Sequence, residues 1–247
     1  MPIILAIETS SELASCALLR DGSVISRDSS GVRTHSQSVL PMIQELLAEA
    51  GIGLRDCDAI AYGSGPGSFT GVRTACGVAQ GLAFGANLPV VPVVTLDAMA
   101  LACHQQHAAS DVLTVLDARM GEVYWAQYRF DQDAAPLTVQ PPVLSAPGAV
   151  QPQGSPLACG NGLSAYADAY AGTLCASGDA AVMPHARQIA QLAALALAAG
   201  NTVAAVDAQP LYLRNKIAYT QAERAAMAVV KASEAADAAQ VAAEGKA

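Results

Sequence analysis

Residues 63–71 are the most constraining segment of the sequence, because they hold five Gly or Pro positions within nine residues. An apolar pattern typical of a buried strand precedes them at 57–62, and a small-residue helical pattern follows to about residue 86. Backbone N–H groups at the start of such a helix favour anions, as in phosphate loops. Neither the Walker nor the Rossmann glycine pattern is present. Anion binding and a purely structural turn therefore both stay open.

The predicted elements alternate between strands and helices, and part of the pattern occurs twice. The first copy is a β-run ending at Glu8, a turn and a second strand at 13–20. A β-run at 111–117, a turn and a strand at 122–130 repeat it with an offset of about 109 residues. The other predicted strands are 23–29, 57–62 and 90–94, and the predicted helices are 35–50, 71–86, 96–108 and 185–199.

This repeat predicts two related domains, at 1–106 and 107–214, of which the second is shortened. Residues 215–247 form an Ala-rich tail, in which 221–243 fit a helix. A helix without a strong apolar face is only marginally stable alone. We therefore expect this tail to be solvated and mobile.

Composition and charge exclude several classes of protein. Of the 247 residues, 53% are hydrophobic, which is unlike a disordered chain. The net charge of −8 argues against tRNA or DNA binding by the chain alone, because neutralising phosphates dominates such affinity. The charge-free runs 74–96 and 188–206 contain polar or helix-breaking residues, so we expect no membrane span. The N-terminus has no basic segment and no Cys-x-x-Cys pair occurs, which predicts a reduced, cytoplasmic protein.

Three polar segments could carry chemistry, and each has a structural alternative. Residues 8–11, Glu-Thr-Ser-Ser, could touch phosphate or a metal, or form a hydroxyl-rich β-turn. Residues 117–124 place two acids and an Arg around a turn, which is either a site or an ion-paired hairpin. His104 and His107 lie three apart on a predicted helix, but no third metal ligand has suitable spacing. His35 could be a polar contact at an interface.

The helix after the glycine-rich segment has a row of glycines. Gly77, Gly81 and Gly85 occur at every fourth position and so share one face. Each Gly in a helix interior costs about 1 kcal/mol relative to Ala. This cost predicts that another element packs very closely against the face.

Five motifs, in order along residues 1–215, carry a resemblance to a known family. They are Leu5-Ala6-Ile7-Glu8-Thr9-Ser10; Thr34-His35-Ser36 with Leu40-Pro41-Met42-Ile43; Gly65-Pro66-Gly67-Ser68-Phe69-Thr70-Gly71-Val72-Arg73; Asp117-Ala118-Arg119-Met120-Gly121-Glu122-Val123-Tyr124; and Pro210-Leu211-Tyr212-Leu213-Arg214. The chain resembles the TsaB (YeaZ) family, subunits of the bacterial machinery that makes threonylcarbamoyladenosine in tRNA. The resemblance implies an actin-like, sugar-kinase-type (ASKHA) α/β fold of two related domains, in agreement with the repeat.

The resemblance also implies that the chain is not an enzyme. Its catalytic relative TsaD carries a His-x-x-x-His metal pair, and the matching positions here are Thr95 and Met99, which suit such a metal poorly. We therefore expect no catalytic residue, no metal and no cofactor. The first turn and the glycine-rich loop would be the remnant of a phosphate loop. The positions concerned are Glu8, Thr9, Ser10, Gly65, Gly67, Ser68 and Thr70.

Members of the family pair with TsaD through the two helices of the first domain, and the same surface can form a homodimer. Here those helices are 35–50 and 71–86. The residues implied at this interface are His35, Leu40, Ile43, Leu47, Arg73, Gly77, Gly81 and Gly85. The resemblance further implies an association with TsaE through the complex, and a functional link to TsaC, which supplies threonylcarbamoyl-adenylate. The modified adenosine lies next to the anticodon.

Two enzymatic functions compete with this role of a non-catalytic, activating subunit. An ATP-dependent small-molecule kinase of the same fold would use the loop 63–71 with Glu8 or Asp117. It would also need a second phosphate loop, but the turn at 118–121 has one Gly and two bulky side chains. A glycoprotease-like metalloenzyme would need a metal and a peptidase apparatus, and the sequence shows no such apparatus.

Overall fold

A computed structural model describes residues 1–29, 35–131 and 135–214. Its first sheet has the strand order β3-β2-β1-β4-β5. The strands are β1 (Ile4–Glu8), β2 (Ala14–Arg20), β3 (Ser23–Ser29), β4 (Ala59–Gly65) and β5 (Val90–Val94). β1 pairs antiparallel with β2 and parallel with β4, which in turn pairs parallel with β5. The predicted strands of the N-terminal half are confirmed.

Helices cover both faces of this sheet. They are α1 (His35–Ala50), α2 (Phe69–Ala86), α3 (Thr95–His107) and α6 (Ala186–Ala198). Alternate residues of a strand point to opposite faces, so Leu5 and Ile7 pack with α1 and α2. Ile4 and Ala6 pack with α6 on the other face. This double coverage explains why β1 reads as an unbroken apolar run.

The second sheet has the strand order β8-β7-β6-β9. Its strands are β6 (Asp111–Arg119), β7 (Glu122–Arg129), β8 (Leu137–Ser145) and β9 (Leu157–Cys159). β6 and β7 form a hairpin, and β9 pairs parallel with β6. α3 packs on one face of this sheet. The short helices α4 (Gly162–Ala165) and α5 (Ala167–Tyr170) pack on the other face, where they form a separate apolar cluster with residues of the sheet.

The C-terminal part of the described chain returns to the first sheet. α6 packs against that sheet, and Val203 bridges to Val90. Residues Met1–Leu213 group into a single compact unit. The predicted boundary near residue 106 separates the strands of the two sheets, although α6 lies beyond it in sequence. The division into two domains stays a prediction, and the predicted tail at 215–247 lies outside the described residues.

Within the described ranges, no helix combines the length and the apolar composition that crossing a bilayer requires. The six Cys are buried free thiols. In apolar surroundings such thiols pack as small hydrophobic side chains.

The end of α3 provides a test of this backbone geometry. Ala108 follows the helix with a φ of 52°, in the left-handed region, where a Cβ is unfavourable and Gly is preferred. We expect Ala108→Gly to raise the free energy of unfolding by about 1 kcal/mol, measured by urea denaturation. The matched control is Ala48→Gly on the exposed side of α1, which should lower it by up to about 1 kcal/mol. Equal signs for the two variants would contradict the assigned conformation.

Candidate functional site

The glycine-rich loop lies against the turn that follows β1. The Thr9 hydroxyl donates to the carbonyl of Gly71 at 2.7 Å, and the N–H of Ser68 donates to the carbonyl of Ser10 at 2.7 Å. Ser68 also caps the first turn of α2 by accepting from the N–H of Gly71. These bonds connect segments about sixty residues apart in sequence and fix where α2 begins.

Three glycines of the loop allow this close approach. A Cβ built on Gly67 would lie 2.5 Å from the Ser10 carbonyl oxygen, and one on Gly71 would lie 1.9 Å from that of Thr9. A Cβ on Gly63 would lie 1.8 Å from Oε2 of Glu8. The chain's own first turn therefore occupies the space that these glycines leave. Packing accounts for these glycines without a bound phosphate.

Glu8 is completely buried beside this loop. Its Oε1 accepts the N–H of Ser10, whereas its Oε2 and the Ser10 hydroxyl have no hydrogen-bond partner among the described residues. Burial raises the pKa of the Glu8 carboxyl, and hydrogen bonds from Ser10 and Thr9 and the charge of His35 oppose that shift. Burial thus favours the neutral carboxyl, which is a poor ligand for a hard cation. In the described part of the chain, no cluster of three or more His, Cys, Asp or Glu could hold a metal.

The remaining positions of the predicted phosphate-loop remnant are structural or exposed. The N–H of Gly65 donates to Oγ1 of Thr95 at 3.2 Å, and both residues are buried. Ser68 and Thr70 are exposed at the start of α2. Thr95 and Met99, which the resemblance matches to the TsaD metal pair, are both fully buried.

The turn at 117–124 is built around an ion pair. The nearly buried Asp117 accepts the N–H of Arg119 and the hydroxyl of Tyr166, and pairs with the Arg119 guanidinium at 3.1 Å. Arg119 also reaches Glu12, in the turn after β1, at 2.6 Å. Arg119 and Met120 both have a φ of 61°, so two bulky side chains shape this turn. The alternatives for this segment were a functional site and an ion-paired hairpin, and the geometry matches the hairpin.

The C-terminal segment lies beside the same loop. The N–H of Leu211 donates to the carbonyl of Ser64 at 2.7 Å, and the Tyr62 hydroxyl donates to that of Gln209 at 2.9 Å. Gln80 of α2 donates to the carbonyl of Ala208 at 2.9 Å. Sequence reasoning did not place this segment next to the loop, because the contact spans more than a hundred residues.

The exposed face of α2 contains the three predicted interface glycines. Gly77, Gly81 and Gly85 are exposed, and a Cβ on any of them would meet nothing within 4 Å. Phe84 on the same helix is 82% exposed. Sequence reasoning missed Phe84, although its helical spacing from Gly77 and Gly81 could have revealed it.

The other predicted interface residues are distributed between the surface and the core. Leu40 is 46% exposed, whereas Ile43 is only 3% exposed and belongs to the core. Leu47 is half-buried and packs on the same core. Ile43 therefore packs α1 onto the core and exposes almost no surface to a partner. His35 lies at the start of α1, with Nε2 at 3.3 Å from the Glu12 carbonyl oxygen.

The glycines of the loop and the exposed glycines of α2 give opposite predictions for the free energy of unfolding. Gly71→Ala should lower the free energy of unfolding by about 2–3 kcal/mol, because its Cβ would collide with backbone. Gly81→Ala should raise it by about 1 kcal/mol, because Ala is the better helix former and the site is open. Urea denaturation of both variants measures this contrast. A destabilised Gly81→Ala monomer would show that the glycine serves the monomer's own packing.

The pKa of Glu8 gives a prediction of pH dependence. A carboxyl whose pKa is raised by folding makes the folded state lose stability as pH rises from the ordinary value of 4.5 through the raised one. Glu8→Gln removes this loss. The stability of Glu8→Gln relative to wild type should therefore be more favourable at about pH 8 than at about pH 5, as measured by urea denaturation. An equal difference at both pH values would show that burial does not shift this pKa.

Comparison with known proteins agrees with this architecture. The family model described as TsaD, tRNA N6-adenosine threonylcarbamoyltransferase, matches residues 24–240. The TsaB protein of Escherichia coli, described as a tRNA threonylcarbamoyladenosine biosynthesis protein, is 41% identical over 223 residues, covering 87% of this chain and 96% of the relative. The TsaB protein of Haemophilus influenzae is 38% identical over 226 residues, covering 87% and 95%.

The solved structure of YeaZ from Pseudomonas aeruginosa is also similar. It matches with a TM-score of 0.78 at 37% identity, over 86% of this chain and 100% of that one. The predicted actin-like, sugar-kinase-type fold is confirmed. On these likenesses in sequence and structure, the chain belongs to the TsaB (YeaZ) family.

Proposed function

We propose that the chain acts in the biosynthesis of threonylcarbamoyladenosine in tRNA, as a non-catalytic subunit that activates TsaD by dimerising with it. The names of the relatives, TsaB and TsaD, support the process. The exposed glycine row of α2 carries the proposed mode of action, because the monomer itself gives no reason for these glycines.

The absence of a catalytic role is inferred from the four places where catalytic or ligand-binding residues would be expected. The first turn fills the space beside the loop glycines, Glu8 is buried and favours its neutral form, and Asp117 is engaged by Arg119 and Tyr166. The Thr95 hydroxyl accepts a hydrogen bond from the loop backbone, which gives this residue a structural role. We infer that it is not a metal ligand. These features favour a supporting subunit over a kinase or a glycoprotease.

The interface is inferred from the energetic cost of the glycine row. Three glycines in α2 destabilise the helix by about 1 kcal/mol each relative to Ala, yet a Cβ at each position would find open space. Glycines on a helix face let another helix approach closely. The exposed side chains of Phe84 on α2 and Leu40 on α1 would provide apolar area for such a contact.

The same face would serve every partner that binds there directly. A homodimer and the heterodimer with TsaD should then exclude each other. We infer that TsaE joins through the complex and that TsaC acts through its product, threonylcarbamoyl-adenylate. The net charge of −8 fits a cytoplasmic subunit that leaves direct tRNA binding to its partners.

A large side chain in the glycine row should block the complex. Gly77→Leu or Gly81→Leu should abolish co-purification with TsaD, because the side chain fills the space for the partner helix. Far-UV circular dichroism should show an unchanged monomer, since that space is open in the monomer. The matched control is Gly148→Leu, which adds the same side chain at another exposed, open position and should leave binding intact. Survival of the complex in both α2 variants would refute the interface.

A further inference from the structure

Arg73 is the single charged residue of α2. It is exposed, and among the described residues it has no ion pair. The rest of this helix is apolar, small or uncharged. If the face of α2 becomes buried against a partner, this guanidinium loses water, and a desolvated charge needs a partner of opposite sign.

Two aromatic rings hold this guanidinium in place. Its carbon lies 3.3 Å from the ring centroid of Phe69, one helical turn before it, and 5.1 Å from that of Tyr212. The two ring centroids are 6.4 Å apart. The hydrogen bond from Leu211 to Ser64 anchors the segment that carries Tyr212. We call these three residues, Phe69, Arg73 and Tyr212, the arginine clamp.

The arginine clamp has the composition of a binding hot spot. Phe69 and Tyr212 are 46% and 47% exposed, so both rings and the guanidinium between them are accessible to a partner. A guanidinium stacked on rings keeps its in-plane N–H groups available as a fork. Stacking also restricts the side chain before binding, which reduces the entropy lost on binding. A planar fork of this kind matches a carboxylate through two parallel hydrogen bonds.

We infer that the arginine clamp receives an Asp or Glu carboxylate of the partner protein and fixes the register of the two interacting helices. This inference rests on the proposed function, because it assumes that α2 faces TsaD. A carboxylate of a protein is favoured over a phosphate of RNA, since the chain carries a net charge of −8 that repels nucleic acid. Tyr212 and Phe69 act as positioning residues for Arg73.

The test is the affinity of the full-length chain for purified TsaD, measured by isothermal titration calorimetry. Arg73→Gln should weaken binding at least about tenfold, because it leaves the partner's carboxylate unpaired. Arg73→Lys should be weaker than wild type, because an ammonium has no planar fork. Phe69→Leu and Tyr212→Leu should weaken binding less than Arg73→Gln. The matched control is Arg129→Gln, which removes an exposed Arg from β7 and should leave binding unchanged.

Charge reversal then identifies the partner's carboxylate. Arg73→Glu should abolish binding, and an Asp or Glu of TsaD changed to Arg should restore it. Normal binding by Arg73→Gln together with failure of Gly81→Leu would overturn the clamp and leave the proposed interface standing. Normal binding by both variants would overturn both. Normal TsaD affinity but weaker nucleotide or tRNA binding by the assembled complex of Arg73→Gln would assign Arg73 to a phosphate and also overturn the clamp.

Discussion

The close contact between the glycine-rich loop and the turn after β1 determines the geometry of the proposed interface. Gly67 and Gly71 let the backbone of the loop approach the backbone of Ser10 and Thr9, at distances that a Cβ would forbid. The resulting hydrogen bonds fix the first turn of α2 against the central strand of the sheet. This contact fixes where α2 begins, and the packing of Ala75, Cys76 and Ala79 in the core leaves the opposite side of the helix facing solvent.

Glycine thus has two separate uses within about twenty residues. In the loop, its lack of a side chain is required for folding, because the neighbouring backbone occupies the space. On the exposed face of α2, the same lack is unnecessary for the monomer and destabilises the helix. Under the proposed function, the loop glycines meet a constraint of the fold, and the exposed glycines meet a constraint from a partner helix that packs on this face. The completely buried Glu8 fits the same proposal, since burial raises the pKa of its carboxyl and so favours the uncharged form.

The hydrophobic periodicity of the sequence was sufficient to predict the strands of the first sheet and the helices α1, α2, α3 and α6, because these patterns are local. Periodicity could not decide which apolar residues of α1 face the core. Ile43 and Leu40 have the same helical signature, yet only Leu40 is exposed. Contacts between distant segments also escaped prediction, above all Tyr212 beside Arg73 and α6 on the first sheet. Such contacts depend on topology, which the local pattern does not contain.

We propose that this chain contributes a surface and no reacting group. The most direct measurement is the formation of threonylcarbamoyladenosine in tRNA by TsaD, TsaE and TsaC at constant concentrations, with no chain, with the wild-type chain, or with the double variant Glu8→Gln/Asp117→Asn. Modification should require the chain and should proceed at the wild-type rate with the double variant. Full modification without the chain, or its loss with a double variant that still binds TsaD normally, would contradict this proposal.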